Sequence, residues 1–150
     1  MMLTDRTDQK VLGYLGRALS LELSAVQLYS TQARLATKWG LQEAADYFRN
    51  EAVSEMAHAD RLIDRMLAYG YAPSASQLRP VELGKNLDEL LTVDIRFERE
   101  LVDFYKLAAT YCVKNGLVDD KVFFNELLAE EQSHYAELKD WQLKLHSSTL

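Results

Sequence analysis

Apolar residues recur every three or four positions through most of this chain, with charged residues filling the gaps. That is the pattern of amphipathic helices, and nowhere does the two-residue alternation of a strand compete with it. Both prolines, Pro73 and Pro80, fall in the stretch GYAPSASQLRPVELGKN, residues 70–86, which reads as a connection. The segment before it breaks at KWGLQE, where Gly40 ends a helix. The segment after it breaks at KNGLVDD, where Asn115 and Gly116 do the same. Four helices are predicted, near 6–38, 42–69, 86–114 and 119–145, with HSSTL as a loose tail. Short turns make each pair antiparallel, and residues 70–85 are long enough to cross to the other end of a bundle. The expectation is a single all-α domain over residues 1–150, an antiparallel four-helix bundle with a long crossover between helices two and three.

A few polar residues break the pattern by lying on the apolar faces. Leu15, Leu19, Ala25, Val26, Tyr29 and Ala33 lie on or near the face of Glu22, which is therefore aimed at the core. Phe48 and Leu62 share the face of Glu55 and His58. The second half repeats this arrangement: Glu98, then Glu131 and His134. In each half a glutamate is followed 33 positions later by Glu-x-x-His, and the halves are offset by 76 residues at every one of these positions. A single Glu-x-x-His is usually a solvated helical pair. Two of them, each preceded by a core-facing glutamate at the same interval, point instead to a duplicated hairpin with its polar residues in register.

Four carboxylates at one level of a core would repel strongly, and each costs several kcal/mol to bury. Two divalent cations remove that penalty, and two neutral imidazoles complete the ligand set. The oxygen-rich donors suit iron or manganese, and no thiolate favours copper(I) or an iron–sulfur cluster. Glu51, Glu100, Glu126, Glu130 and Glu137 are expected to be solvated or to line an inner surface.

Composition narrows the function further. The net charge of −6 argues against non-specific nucleic-acid binding, which needs a basic surface. With the single cysteine Cys112, no disulfide can close within the chain and no CxxC metal knuckle exists. The polar start MMLTDRTDQK lacks the apolar core of a signal peptide, and no run is long enough to span a membrane. A cytoplasmic protein without membrane or nucleic-acid partners is expected.

The segments KVLGYLGRALSLELSAVQLY, TKWGL, SEMAHADRLIDRML and LLAEEQSHYAEL resemble bacterioferritin, the haem-carrying branch of the ferritin-like di-iron carboxylate proteins, over about residues 8–145. The general Glu plus Glu-x-x-His pattern of that superfamily is a known feature of its bundles. The resemblance implies that Glu22 and His58 hold one iron, that Glu98 and His134 hold the other, and that Glu55 and Glu131 bridge them. It implies ferroxidation: Fe2+ is oxidised by O2 or peroxide, and Fe3+ passes into a mineral inside an oligomeric shell. Tyr29 matches a tyrosine beside the site and Asp94 an acidic neighbour. Met56 is implied to bind a haem b or related haem, one per two chains, flanked by Leu23, Ser30, Val53, Ala59 and Ile63. A ferredoxin is the implied partner for iron release.

The chain departs from that family at several positions. Asn50 and Ser54 stand where an inner-surface histidine and aspartate are expected, Glu137 stands in place of a tryptophan, and Ser30 and Ala57 replace bulkier or basic residues near the haem. No fifth helix follows the fourth, so a shell of 12 chains is expected over one of 24. Two alternatives remain: a ferritin-like di-iron oxidoreductase without storage, and a haem-bearing structural subunit of a mixed shell.

Overall fold

The computed structural model describes residues 7–148. Among these lie four helices and no strand: α1 (Gln9–Lys38), α2 (Gln42–Ala68), α3 (Leu87–Lys114) and α4 (Val118–Ser148). The chain divides into two compact units, one ending at Val81 and the other beginning at Glu82. The first is the α1–α2 hairpin and the second the α3–α4 hairpin.

Two helix boundaries differ from expectation, each for a visible reason. Residue 6 lies outside the described residues, and α1 begins at Gln9 because Asp8 caps it. The Asp8 carboxylate accepts from the backbone N–H groups of Lys10 and Val11 at 2.9 and 3.1 Å. At the other end, α4 does not stop near 145 but continues through Ser148. Its last turns are tied to the start of α3: His146 Nε2 lies 2.6 Å from Asp88 Oδ1, and Gln142 Nε2 donates to Asp88 Oδ1 and Thr92 Oγ1. Of the expected loose tail, Thr149 and Leu150 lie outside the described residues.

The two hairpin turns are built alike. After α1, Gly40 takes φ +77°, its N–H donates to Thr37 O, and Leu41 N–H donates back to Ala36 O at 2.9 Å. After α3, Gly116 takes φ +67°, its N–H donates to Val113 O, and Leu117 N–H donates to Cys112 O at 2.9 Å. This closes the last carbonyls of each helix in a left-handed cap that favours glycine. The turn then fixes which residues meet across the hairpin. Glu22 lies 17 residues before Trp39 and Glu55 lies 16 after it; Glu98 and Glu131 stand in the same relation to Asn115. A one-residue change in either turn would rotate the following helix by about 100° and carry its glutamate off the facing side.

The connection after α2 has no regular secondary structure over residues 71–84, yet its first part is held in place. Gln77 N–H donates to Ser20 Oγ at 3.2 Å and Arg79 N–H donates to Ser24 Oγ at 3.0 Å. Four residues of helix rise about 6 Å and two of extended chain about 6.6 Å, so alternate N–H groups meet serines one turn apart. Further on, Asn86 caps α3 by accepting from Glu89 N–H, while the Glu89 carboxylate accepts from Lys85 N–H.

Candidate metal centre

Within the first hairpin the ligand atoms of Glu22, Glu55 and His58 lie within 4.8 Å of one another. His58 Nδ1 is 3.2 Å from Glu22 Oε2 and 3.1 Å from Glu55 Oε1. All three side chains are buried. Within the second hairpin the ligand atoms of Glu98, Glu131 and His134 fall within the same 4.8 Å. His134 Nδ1 is 3.6 Å from Glu131 Oε1, and its side chain is more open than that of His58, 12% exposed against 2%. First-row divalent ions sit about 2.0–2.2 Å from imidazole nitrogen and carboxylate oxygen, so neighbouring donors facing one ion stand roughly 3–3.5 Å apart. Each triad has that spacing.

The charge balance supports the same chemistry. Glu22, Glu55, Glu98 and Glu131 are 0% exposed, and Glu51, Asp94 and Asp120 are buried as well. No lysine or arginine among the described residues is buried. Buried carboxylates need compensating charge, and two carboxylates with one imidazole per hairpin are the hard-donor set that a divalent iron or manganese ion takes. The donor set therefore fits the metal.

Tyr29 is fully buried two helical turns after Glu22 and stacks on Phe48 with ring centroids 6.4 Å apart. Met56 is 39% exposed and Val53 67%, so both point away from the triad of their own hairpin. Ser30 is exposed, and Leu23 and Ile63 are half-buried. One expectation fails. Ala59 is 0% exposed and cannot flank an outward Met56: four residues after Glu55 it lies only about 40° round the helix from it, on the inner face. Of the glutamates expected to be solvated or to line an inner surface, Glu51 is 7% exposed, one turn before Glu55 on the same face, whereas Glu100, Glu126, Glu130 and Glu137 are exposed. Tyr105 and Phe124, fully buried in the second hairpin, were not singled out from the sequence; the 76-residue offset from Tyr29 and Phe48 was the signal that could have found them.

Comparison with known proteins decides the family. Residues 12–146 match the Ferritin-like domain family. The chain is 37% identical over 127 residues to a bacterioferritin of Brucella melitensis biotype 1, and 35% identical over 127 residues to one of Rhodobacter capsulatus. Each match covers 85% of this chain and 79% of the relative. The chain belongs to the bacterioferritin family. Its fold matches a solved Rhodobacter capsulatus bacterioferritin with a TM-score of 0.89 and 33% identity, covering 95% of this chain and 88% of that one. That structure is described as having a metal-free dinuclear site and its haem iron in a crystallographic special position. The fold is thus the all-α four-helix bundle of the ferritins, with the long crossover between α2 and α3. No described helix is long and apolar enough to cross a membrane.

If the triads are metal ligands, they should be a burden to the empty protein. Fe2+ added without O2 should raise the melting temperature of the wild type, by the equivalent of about 2.7 kcal/mol at a hundred times Kd. Glu55→Gln and Glu131→Gln should cancel most of that rise, while melting without metal at or above the wild-type temperature because a buried charge is gone. Scanning calorimetry with and without metal checks both signs.

Proposed function

We propose that this chain stores and detoxifies iron as a ferroxidase, oxidising Fe2+ with O2 or peroxide and depositing Fe3+ as mineral inside an oligomeric shell. The observation that carries the reading is the triad of two buried glutamates and a histidine, built twice at the same interval on a bacterioferritin-family fold. In this reading Glu22 and His58 hold one Fe2+, Glu98 and His134 the other, and Glu55 and Glu131 bridge. Four carboxylates balance the charge of two Fe2+ ions but not of two Fe3+ ions. Oxidation therefore leaves an excess of positive charge in a buried site, which favours release of the product.

The direct test is stopped-flow oxidation of anaerobically loaded Fe2+. His58→Ala and Glu131→Ala should each slow it by at least tenfold, a loss of about 1.4 kcal/mol or more of transition-state stabilisation. Wild-type rates in both variants would overturn the ligand assignment.

Haem is the second expected cofactor. When bound it supplies a one-electron carrier, and the exposed thioether of Met56 is the donor that would hold it, with Leu23, Ser30, Val53 and Ile63 on the same outward side. One haem shared by two chains requires two copies of this face to meet on a twofold axis. Protein from haem-replete cells should show a Soret band that Met56→Ala abolishes; a band unchanged by the substitution would remove Met56 from the haem site.

Mineral storage requires a closed assembly, because one bundle encloses nothing. Light scattering should give about 206 kDa for 12 chains of 17.2 kDa, or about 413 kDa for 24. A protein that stays dimeric on iron loading would reduce the proposal to ferroxidation alone.

A further inference from the structure

The 76-residue repeat extends beyond the metal triads. Tyr29 in α1 has its counterpart in Tyr105 of α3, and Phe48 in α2 has its counterpart in Phe124 of α4. The pairs are also alike in space: the Tyr29 and Phe48 ring centroids are 6.4 Å apart, and those of Tyr105 and Phe124 are 6.3 Å apart. A second aromatic lies edge-on to the phenylalanine in each hairpin, Tyr47 on Phe48 at 6.1 Å and Phe123 on Phe124 at 5.6 Å. All four residues of the two pairs are 0% exposed.

Other buried positions of these helices are partly kept and partly drifted: Leu15 and Leu91, Ala33 and Ala109, and Leu62 and Leu138 agree, whereas Ala25 corresponds to Leu101, Leu28 to Phe104, Gln32 to Ala108, and Ala36 to Cys112. The tyrosine is kept in both hairpins together with the ligands. Each stands seven residues, two helical turns, after the first glutamate of its triad, on the same helix face. Helical side chains lean back toward the N-terminus, so each phenol is directed toward its own triad.

We infer that Tyr105 is a second redox-active tyrosine, serving the Glu98–Glu131–His134 half as Tyr29 serves the Glu22–Glu55–His58 half. The inference rests on the ferroxidase reading above. The electron count gives the pair a role. Reduction of O2 to two waters takes four electrons and four protons, and two Fe2+ ions supply only two electrons. Tyr29 and Tyr105 each supply one electron and the phenolic proton, and solvent supplies the other two protons. The O–O bond breaks, both oxygens leave as water, two Fe3+ form, and a neutral phenoxyl radical remains on each tyrosine. A further Fe2+ with one proton from solvent returns each radical to the phenol. Over the full cycle one O2 consumes four Fe2+ and releases no peroxide. Without the tyrosines the two Fe2+ reduce O2 only as far as hydrogen peroxide.

The experiment loads wild type, Tyr29→Phe, Tyr105→Phe and the double variant anaerobically with Fe2+, mixes them with O2, and freeze-quenches them for electron paramagnetic resonance. Released hydrogen peroxide is measured in parallel. Phenylalanine preserves the ring that packs on Phe124, and melting of the metal-free variants confirms that the fold is kept. In each single variant a further Fe2+ must supply the fourth electron, so one radical forms per O2 and about half of the wild-type signal is expected to remain. The double variant has none, and peroxide release rises stepwise from wild type to double variant. A Tyr105→Phe protein with wild-type radical and peroxide yields overturns the inference, and so does loss of the entire signal in Tyr29→Phe alone. Failure of the underlying reading looks different: the wild type would then not oxidise Fe2+ at all.

Discussion

The constraint on which this structure depends is the burial of carboxylates without a buried lysine or arginine among the described residues. Four glutamates and Asp94 are wholly inaccessible, and Glu51 and Asp120 are nearly so, in a protein whose described lysines and arginines all remain at least partly at the surface. The effective cost of burying one ion is several kcal/mol, while the net stability of a whole domain is about 5–15 kcal/mol. Several such groups at full charge would consume that margin. A cation bound among these groups would thus enter the energetics of the fold as well as its chemistry. Helices suit such a site because their backbone polar groups are satisfied internally, leaving every donor at the centre to come from a side chain chosen for the purpose.

The hairpin turns convert this constraint into geometry. Glutamate and Glu-x-x-His approach each other because they lie almost equal distances before and after a turn whose glycine must adopt a positive φ. The same register sets Tyr29 against Phe48 and Tyr105 against Phe124, at ten residues before and nine after the central residue of each turn. Position along the helix thus selects a layer: the aromatic pair lies nearer the turn and the metal triad about two turns beyond it. The histidine, three residues past its glutamate, returns to the same face.

Much of this was legible in the sequence because it is periodic. Helical spacing located the four helices, the two prolines located the connection, and the interval of 76 marked the six ligand candidates without any knowledge of contacts. The misreadings involve residues whose state depends on a partner far along the chain or on a small angular difference. The last turns of α4 are held by Asp88 and Thr92, more than 50 residues away, so no local signal at HSSTL announces a helix. Ala59 is too small and too apolar to declare a side, and its place four residues after Glu55 settles the matter in favour of the interior. The aromatic pairs were visible at the same offset as the ligands but fall in an apolar background where another ring attracts no notice.

Where the repeat has been kept and where it has been lost divides the molecule by task. Facing inward, the two hairpins agree at every ligand and at the tyrosine and phenylalanine beside them. On the helix sides turned away from the ligands some positions agree, Asp64 with Asp140 and Leu67 with Leu143, but those with a distinct task do not. Met56 corresponds to Gln132, and the serines that hold the connection, Ser20 and Ser24, correspond to Arg96 and Glu100. The thioether and the docked segment therefore belong to the first hairpin alone. Plain core residues are kept as well, Leu15 with Leu91, Ala33 with Ala109 and Leu62 with Leu138, so packing holds part of the inner repeat while Ala25 and Leu101 show that it tolerates drift. The charged donors are the part that packing alone does not account for, because a buried carboxylate costs stability that an apolar residue of similar size would not.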